Sequence, residues 1–298
     1  MHRSLNYNPA EVQKSSPNLF YGKNHIKEAY AKDTMGDESD HFVFWSGGCD
    51  STLLLYELLD AYGPDKVTAV SYRFPWLYDK KAKSEQHCRE LFLMKMRNRG
   101  LYPFNYIEMD VRIKEVLGNI QTRPSGLPQS CSWLLSIPVF IPEGSYIYEG
   151  GIKEDELTMY RTEYEQVFTN MCSILDKRLI LRRPYIYFNK HEIIEKLFKY
   201  DLYDCTWHCE IPNDVDCRCG KCVPCRTHQA ALLYLREFGD GTAKYRAGDI
   251  LRDFELKKSQ EAVGPDPIKA DDSASQPDHG ERNADDQLVD ISEPDEQK

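Results

Sequence analysis

A short apolar run, His41 to Trp45, stops at Gly47-Gly48 and is followed by Leu53, Leu54, Leu55, Leu58 and Leu59, which recur at helical spacing up to Gly63-Pro64. A run rich in aromatic residues and too short for a helix reads as a buried strand, the paired glycines as a tight turn, and the leucine pattern as a helix face. A strand, a glycine turn and a helix in that order form the first unit of an open sheet. Such sheets bind ligands beyond the carboxyl ends of their strands.

The same alternation continues along the chain. Lys66 to Phe74 reads as a second buried strand, Lys80 to Arg99 as an amphipathic helix closed by Gly100, and Phe104 to Val111 as a strand. Ser132 to Ile141 is an apolar helix interrupted by Pro138, and Tyr146 to Glu149 is a strand ending at Gly150-Gly151. A helix with Tyr160, Tyr164, Phe168 and Met171 near one face follows, then a strand over Leu179 to Leu181 and a helix from about Lys190 to Tyr200. This order predicts an α/β fold, an open and mostly parallel sheet with helices on both faces. No internal repeat is visible.

Four segments are expected: an N-terminal extension over 1–40, an α/β domain over 41–204, a cysteine-rich segment with a C-terminal helix over 205–258, and an acidic disordered tail over 259–298. The tail carries twelve Asp or Glu against Lys269, Arg282 and Lys298, so it holds −9 of the net charge of −10. With almost no apolar cluster it cannot offset the entropy of ordering itself. It reads as a solvated terminus, with an acidic interaction arm as the alternative. The nearly neutral body has no broad basic surface, so there is no strong signal for nucleic acid. No apolar run approaches the ~20 residues that span a bilayer, and the first ten residues lack a signal pattern, so no membrane association and a cytoplasmic location are expected.

The turn at Ser46-Gly47-Gly48-Cys49-Asp50-Ser51 is built for an anion. Gly47 and Gly48 let backbone amides approach phosphate oxygens, Ser46, Ser51 and Thr52 add hydroxyls, and the helix end favours negative charge. Asp50 fits beside phosphates if it holds Mg²⁺ or caps the amides of the following helix. The plain alternative is an ordinary strand-to-helix turn with polar caps. The thiol of Cys49 is read as incidental, not as a nucleophile.

Six of the ten cysteines crowd between Cys205 and Cys225. In a chain of 298 residues without a signal pattern, metal binding explains this better than disulfides. Cys219, Cys222 and Cys225 are spaced so that a tight turn directs three thiolates onto one tetrahedral Zn²⁺. Cys209 is the chosen fourth ligand, because Cys217 is too close in sequence to Cys219 for an unstrained chelate; Cys205 and His208 stand behind it. A redox pair is the other reading, and it requires an exposed, low-pKa thiol at a helix start. Four satisfied thiolates would make the zinc structural.

The run from Phe44 to Leu54 resembles the signature of the ATP pyrophosphatase superfamily, the PP-loop enzymes, which cleave ATP between its α and β phosphates. Together with Thr206-Trp207-His208-Cys209 and the Cys219, Cys222, Cys225 and Arg226 pattern, it resembles the 7-cyano-7-deazaguanine synthase family over about residues 41 to 238. That resemblance extends to Arg161-Thr162-Glu163-Tyr164 and to Pro184 through Ile193. It implies a cytoplasmic, homodimeric carbon–nitrogen ligase that uses ATP, Mg²⁺ and Zn²⁺. Such an enzyme adenylates 7-carboxy-7-deazaguanine, accepts ammonia to form the amide, and activates that amide again to form the nitrile. Asp50, Lys190 and Arg161 are then candidate catalytic residues, the two cations as stabilisers of the departing pyrophosphate.

Two segments depart from the family pattern. Gln129, Ser130 and Cys131 stand where it continues Gly-Arg-Asn after Leu127-Pro128, and its substrate loop after Gly150-Gly151 is shortened to Glu156 through Tyr160. The ATP half is retained and the deazapurine half is altered. A second expectation is therefore conjugation of a deazaguanine acid to a protein or other macromolecule, since relatives also occur in phage and antiviral settings. A third is a non-catalytic ATP sensor.

Overall fold

The computed structural model describes residues 39–73, 79–110, 129–155, 158 and 160–262. Expectations for the extension over 1–38 and the tail beyond Ala262 lie outside them. The chain divides into two compact units, Met1–Glu255 and Leu256–Lys298. All described strands belong to the first unit.

Five strands, β1 (His41–Phe44), β2 (Val67–Arg73), β3 (Asn105–Asp110), β4 (Tyr146–Tyr148) and β5 (Ile180–Arg182), form one sheet in the order β3-β2-β1-β4-β5. All four pairings are parallel. The helices are α1 (Cys49–Tyr62), α2 (Asp79–Asn98), α3 (Gln129–Phe140), α4 (Arg161–Ile174), α5 (Lys190–Lys199), α6 (Val223–Phe238) and α7 (Gly241–Ala262). The expected α/β architecture is present. Each anticipated strand is found within a residue or two of its place, and α7 runs four residues past the anticipated helix end at 258.

β1 is central, paired with β2 on one side and β4 on the other, and all four of its residues are buried. Because successive strand side chains point to opposite faces, Val43 joins one core and Phe42 and Phe44 another. Val43 and Trp45 pack with the leucines of α1, Ile193, Ile194 and Leu197 of α5, and Leu232 and Leu235 of α6. Phe42 and Phe44 pack with Trp133, Leu134 and Ile137 of α3 and with Tyr164, Phe168 and Cys172 of α4. The buried face of α4 therefore ends on Cys172, while Tyr160 precedes the helix and is exposed.

Pro138 lies inside α3 without ending it. Proline removes an amide and crowds the carbonyl four residues back, so the end of this helix needs other support. Lys177 Nζ supplies it, donating to the carbonyls of Pro138, Val139 and Ile141 at 2.9–3.0 Å. Among the described residues no helix is long and apolar enough to cross a membrane.

Candidate functional site

In the order β3-β2-β1-β4-β5 the chain leaves β1 toward β2 and later returns on the other side to β4. The direction of winding reverses between β1 and β4, and their carboxyl ends open the crevice where such sheets take ligands. Trp45 to Gly48 leaves β1 at that point, and Glu149 to Asp155 leaves β4.

Gly47 has φ +89°, a conformation that only glycine adopts freely, and a Cβ there would lie 3.0 Å from the Glu85 carbonyl oxygen. Arg89 on α2 donates to the Ser46 carbonyl at 3.0 Å, and the Trp207 amide donates to the Gly47 carbonyl at 2.9 Å. The carbonyls of the turn are thus tied from two sides. Ser46 Oγ accepts from the Gly48 amide and lies 3.1 Å from Ser51 Oγ. Thr52 is fully buried, and its hydroxyl accepts from the Trp45 indole at 3.1 Å, so it faces the core.

Cys49, Asp50 and Ser51 open α1, where amides have no carbonyl a turn behind them, and the cap residue Gly48 has no side chain to satisfy them. Asp50 does not cap these amides either. Its carboxylate turns to Lys190, whose Nζ lies 2.7 Å and 3.0 Å from the two oxygens. Burial works against the Lys190 ammonium, yet Asp50 outweighs it and holds the group above its ordinary range. Lys190 is the first residue of α5, and Glu192 fixes that start by accepting the Asn189 amide at 2.7 Å.

The loop after β4 closes the other wall. A Cβ on Gly150 would stand 2.9 Å from the Ser51 nitrogen, so only a residue without a side chain fits against the opening of α1. Asp155 accepts the Ile152 amide at 2.8 Å, and Glu154 accepts the Lys190 amide at 2.9 Å. Burial raises both carboxyls, Glu154 to about 7 and Asp155 to about 6, the latter with a contribution from Asp50. Of the three carboxylates here only Asp50 is in ion-pair contact with the Lys190 ammonium, and the negative charge of Asp50 acts on both Glu154 and Asp155. Beside them, buried Glu149 accepts from Tyr164 Oη and from Arg183 Nε, each at 2.9 Å.

Arg161 is elsewhere engaged, donating to Glu165 at 2.9 Å and to the Tyr187 hydroxyl at 3.2 Å on an exposed face. The side chains of Gln129, Ser130 and Cys131 lie outside the described residues, as do Glu156, Leu157 and Met159. The sequence assigned no site role to Gly150, Glu154, Asp155 or Trp207. The available signal was a second glycine pair behind a strand, with two acids three and four residues after it.

The sulfurs of Cys209, Cys219, Cys222 and Cys225 all lie within 4.8 Å of one another. Zinc–sulfur bonds of about 2.3 Å give a tetrahedron with edges of about 3.8 Å, so one ion fits with little movement. A cubane cluster, with an iron at each ligated corner, would hold the thiolates farther apart. Cys217 is exposed and outside the group. The amides of Lys221 and Cys222 donate to Cys219 Sγ at 3.4 and 3.3 Å, and that of Cys219 to Cys209 Sγ at 3.2 Å. Burial alone would raise the Cys219 thiol, but those amides and the neighbouring thiols bring it down to about 6.

Trp207 joins the two constellations. It bridges Gly48, its indole donates to the Cys209 carbonyl at 2.8 Å, and the Arg218 guanidinium stacks over its ring.

No protein-family model and no curated protein matches the chain. Among solved structures it is similar to the U34-tRNA thiolase NcsA from Methanococcus maripaludis with its [4Fe-4S] cluster, at 16% identity and a TM-score of 0.42, covering 85% of this chain and 84% of that one. It is also similar to a glutamine-dependent NAD+ synthetase from Acinetobacter baumannii in complex with ADP, at 17% identity and a TM-score of 0.36. That match covers 82% of this chain but only 44% of the synthetase. What the site does has to be read from its own residues.

Proposed function

We propose that the chain binds ATP over the Ser46 to Ser51 loop and uses it to adenylate a 7-deazaguanine-type carboxylate, which a nitrogen nucleophile converts to an amide; a second ATP that adenylates the amide oxygen, lost with AMP, gives the nitrile. The observation that carries this reading is the convergence, at the β1–β4 reversal, of the α1 amides, the Lys190–Asp50 pair and the two acids of the β4 loop.

The carboxylate oxygen attacks the α phosphorus, the bond to the β,γ-phosphates breaks, and pyrophosphate leaves. The amides opening α1 and the hydroxyls of Ser46 and Ser51 hold the departing phosphates. Lys190 neutralises charge that grows on them, a contribution concentrated in the transition state. Asp50 would be the carboxylate ligand of Mg²⁺, which would supply further charge neutralisation when bound, with Glu154 and Asp155 adding negative charge nearby. The nitrogen nucleophile adds to the acyl carbon, loses its proton, and expels AMP. Cys209, Cys219, Cys222 and Cys225 hold structural Zn²⁺, and through Trp207 that module steadies the loop.

The test mixes the full chain with ATP, Mg²⁺, 7-carboxy-7-deazaguanine and ammonium. AMP and pyrophosphate in equal amounts, dependent on the acid, are expected. ATP recovered intact, or cleaved to ADP and phosphate, overturns the reading. The altered stretch at Gln129, Ser130 and Cys131 favours one variant, an amine on a protein in place of ammonia. Intact mass of a co-expressed partner would then rise by the acyl group.

A further inference from the structure

Around the first residue of α1 lies a second set of metal-ligating side chains that the proposed reaction does not use. Cys49 Sγ and one ring nitrogen each of His208 and His228 all lie within 4.8 Å of one another. They come from three separate places in the chain: the start of α1, the segment that follows the short turn at Tyr203–Cys205, and the middle of α6. Cys49 and His228 are each about 1% exposed.

Two stacked histidines in a core are ordinarily explained by satisfied hydrogen bonds. His228 meets that standard, because its Nε2 lies 2.7 Å from Tyr203 Oη, which leaves Nδ1 facing Cys49 Sγ at 3.9 Å. His208 does not. Its Nδ1 is buried and has no hydrogen-bond partner. A buried nitrogen left without a partner is costly, and the ring that carries it stands beside a thiol and a second imidazole.

We propose that Cys49, His208 and His228 form a second metal site that takes a borderline divalent cation such as Zn²⁺ or Co²⁺. One thiolate and two imidazoles are a donor set for such ions, and three protein ligands leave a fourth position for a small oxygen donor. The hydroxyl of Thr206, which accepts from Cys49 Sγ at 3.4 Å, is an oxygen at hand. Tyr203, bonded to the far nitrogen of His228, fixes which nitrogen of that ring faces the ion, the usual outer support of a metal-bound histidine. The two rings are stacked 3.7 Å apart and within 9° of parallel, so ligation requires them to open by rotation about their Cβ–Cγ bonds, a soft torsion. Binding releases the Cys49 proton to solvent. The ion ties the first residue of α1 to the segment carrying Cys209 and to α6, and so fastens the loop. None of this depends on ATP being the nucleotide bound there.

Full-length protein is loaded with Co²⁺, freed of excess metal, and assayed for metal per chain and for thiolate-to-cobalt absorption. Two equivalents are expected in the unaltered chain. Cys49→Ala and His208→Gln are each expected to retain one equivalent together with the intense four-thiolate band. Because His208 adjoins Cys209, a variant that lost both ions could reflect misfolding. Cys49→Ala, on a different element, then decides, with far-ultraviolet circular dichroism as the folding check. One equivalent in the unaltered chain, or two that persist in folded Cys49→Ala, overturns the proposal.

Discussion

The glycine loop after β1 and the four-cysteine cluster stand on either side of Trp207 and are built by opposite means. The loop works through its backbone: Gly47 at φ +89° and Gly150 against Ser51 are places where side chains had to be absent. The cluster works through its side chains, and its backbone only delivers them. Nine residues separate Cys209 from Cys219 without harming the convergence of the sulfurs. A site made of amides is therefore broken by adding an atom, and a site made of thiolates by removing one.

The largest effect should come from Cys222→Ser. In small zinc modules metal binding is worth about 10–16 kcal/mol, so the variant should lose the cluster's ion and its amides over 205–222 should exchange rapidly with solvent. If Trp207 links the two regions, nucleotide affinity falls as well; affinity unchanged by this variant would break the link between them.

Asp50→Ala comes next. Turnover should fall by about 10²–10³-fold, the usual loss when one preorganised charge is removed. Because Lys190 is only 12% exposed, losing its partner also leaves a buried ammonium uncompensated, at about 3–5 kcal/mol of stability. Adding Lys190→Met should restore stability in denaturant melts but not turnover. Recovery of both would remove the pair from the chemistry.

Gly150→Ala tests the backbone side of the comparison. The added methyl meets the Ser51 nitrogen at 2.9 Å, so about 1–3 kcal/mol of overpacking and a weakened nucleotide affinity are expected by calorimetry. Gly151→Ala, whose Cβ would meet only an Asp155 carboxylate oxygen at 3.8 Å, serves as the control.

Asp155→Asn probes the acids. The native carboxyl is raised to about 6, so the folded protein holds its proton more tightly than the unfolded chain does. The native chain therefore loses stability as pH rises from about 4 to 6, and the penalty is complete above that. The variant escapes it, and without divalent cations it should melt higher than the native chain at pH 8 and equally at pH 4. The smallest effect belongs to Arg161→Ala. Its pair with Glu165 is exposed, worth about 0.3–0.5 kcal/mol, and a turnover loss above tenfold would bring Arg161 back into the site.

The strand, glycine turn and leucine helix were legible in the sequence because their signals are local. The apolar run at His41 to Trp45 and the spacing of Leu53 to Leu59 need no knowledge of the rest of the chain. The cysteine ligands were legible for the same reason, three of them within seven residues. Lys190 was placed beside the loop only by resemblance, and Arg161, reached by the same route, faces other partners. Glu154 and Asp155 went unread because two acids after a strand look like any solvated turn until burial raises their pKa.

What the sequence determined alone is the order of elements, the glycine turn after β1 and the thiolate set, each a property of neighbouring residues. Tertiary structure decided which carboxylate Lys190 meets across 140 positions, which glycine must lie against Ser51, and that Cys49, His208 and His228 converge at the start of α1. These depend on parallel crossovers that bring distant strand ends together, and separation along the chain carries no trace of that distance in space.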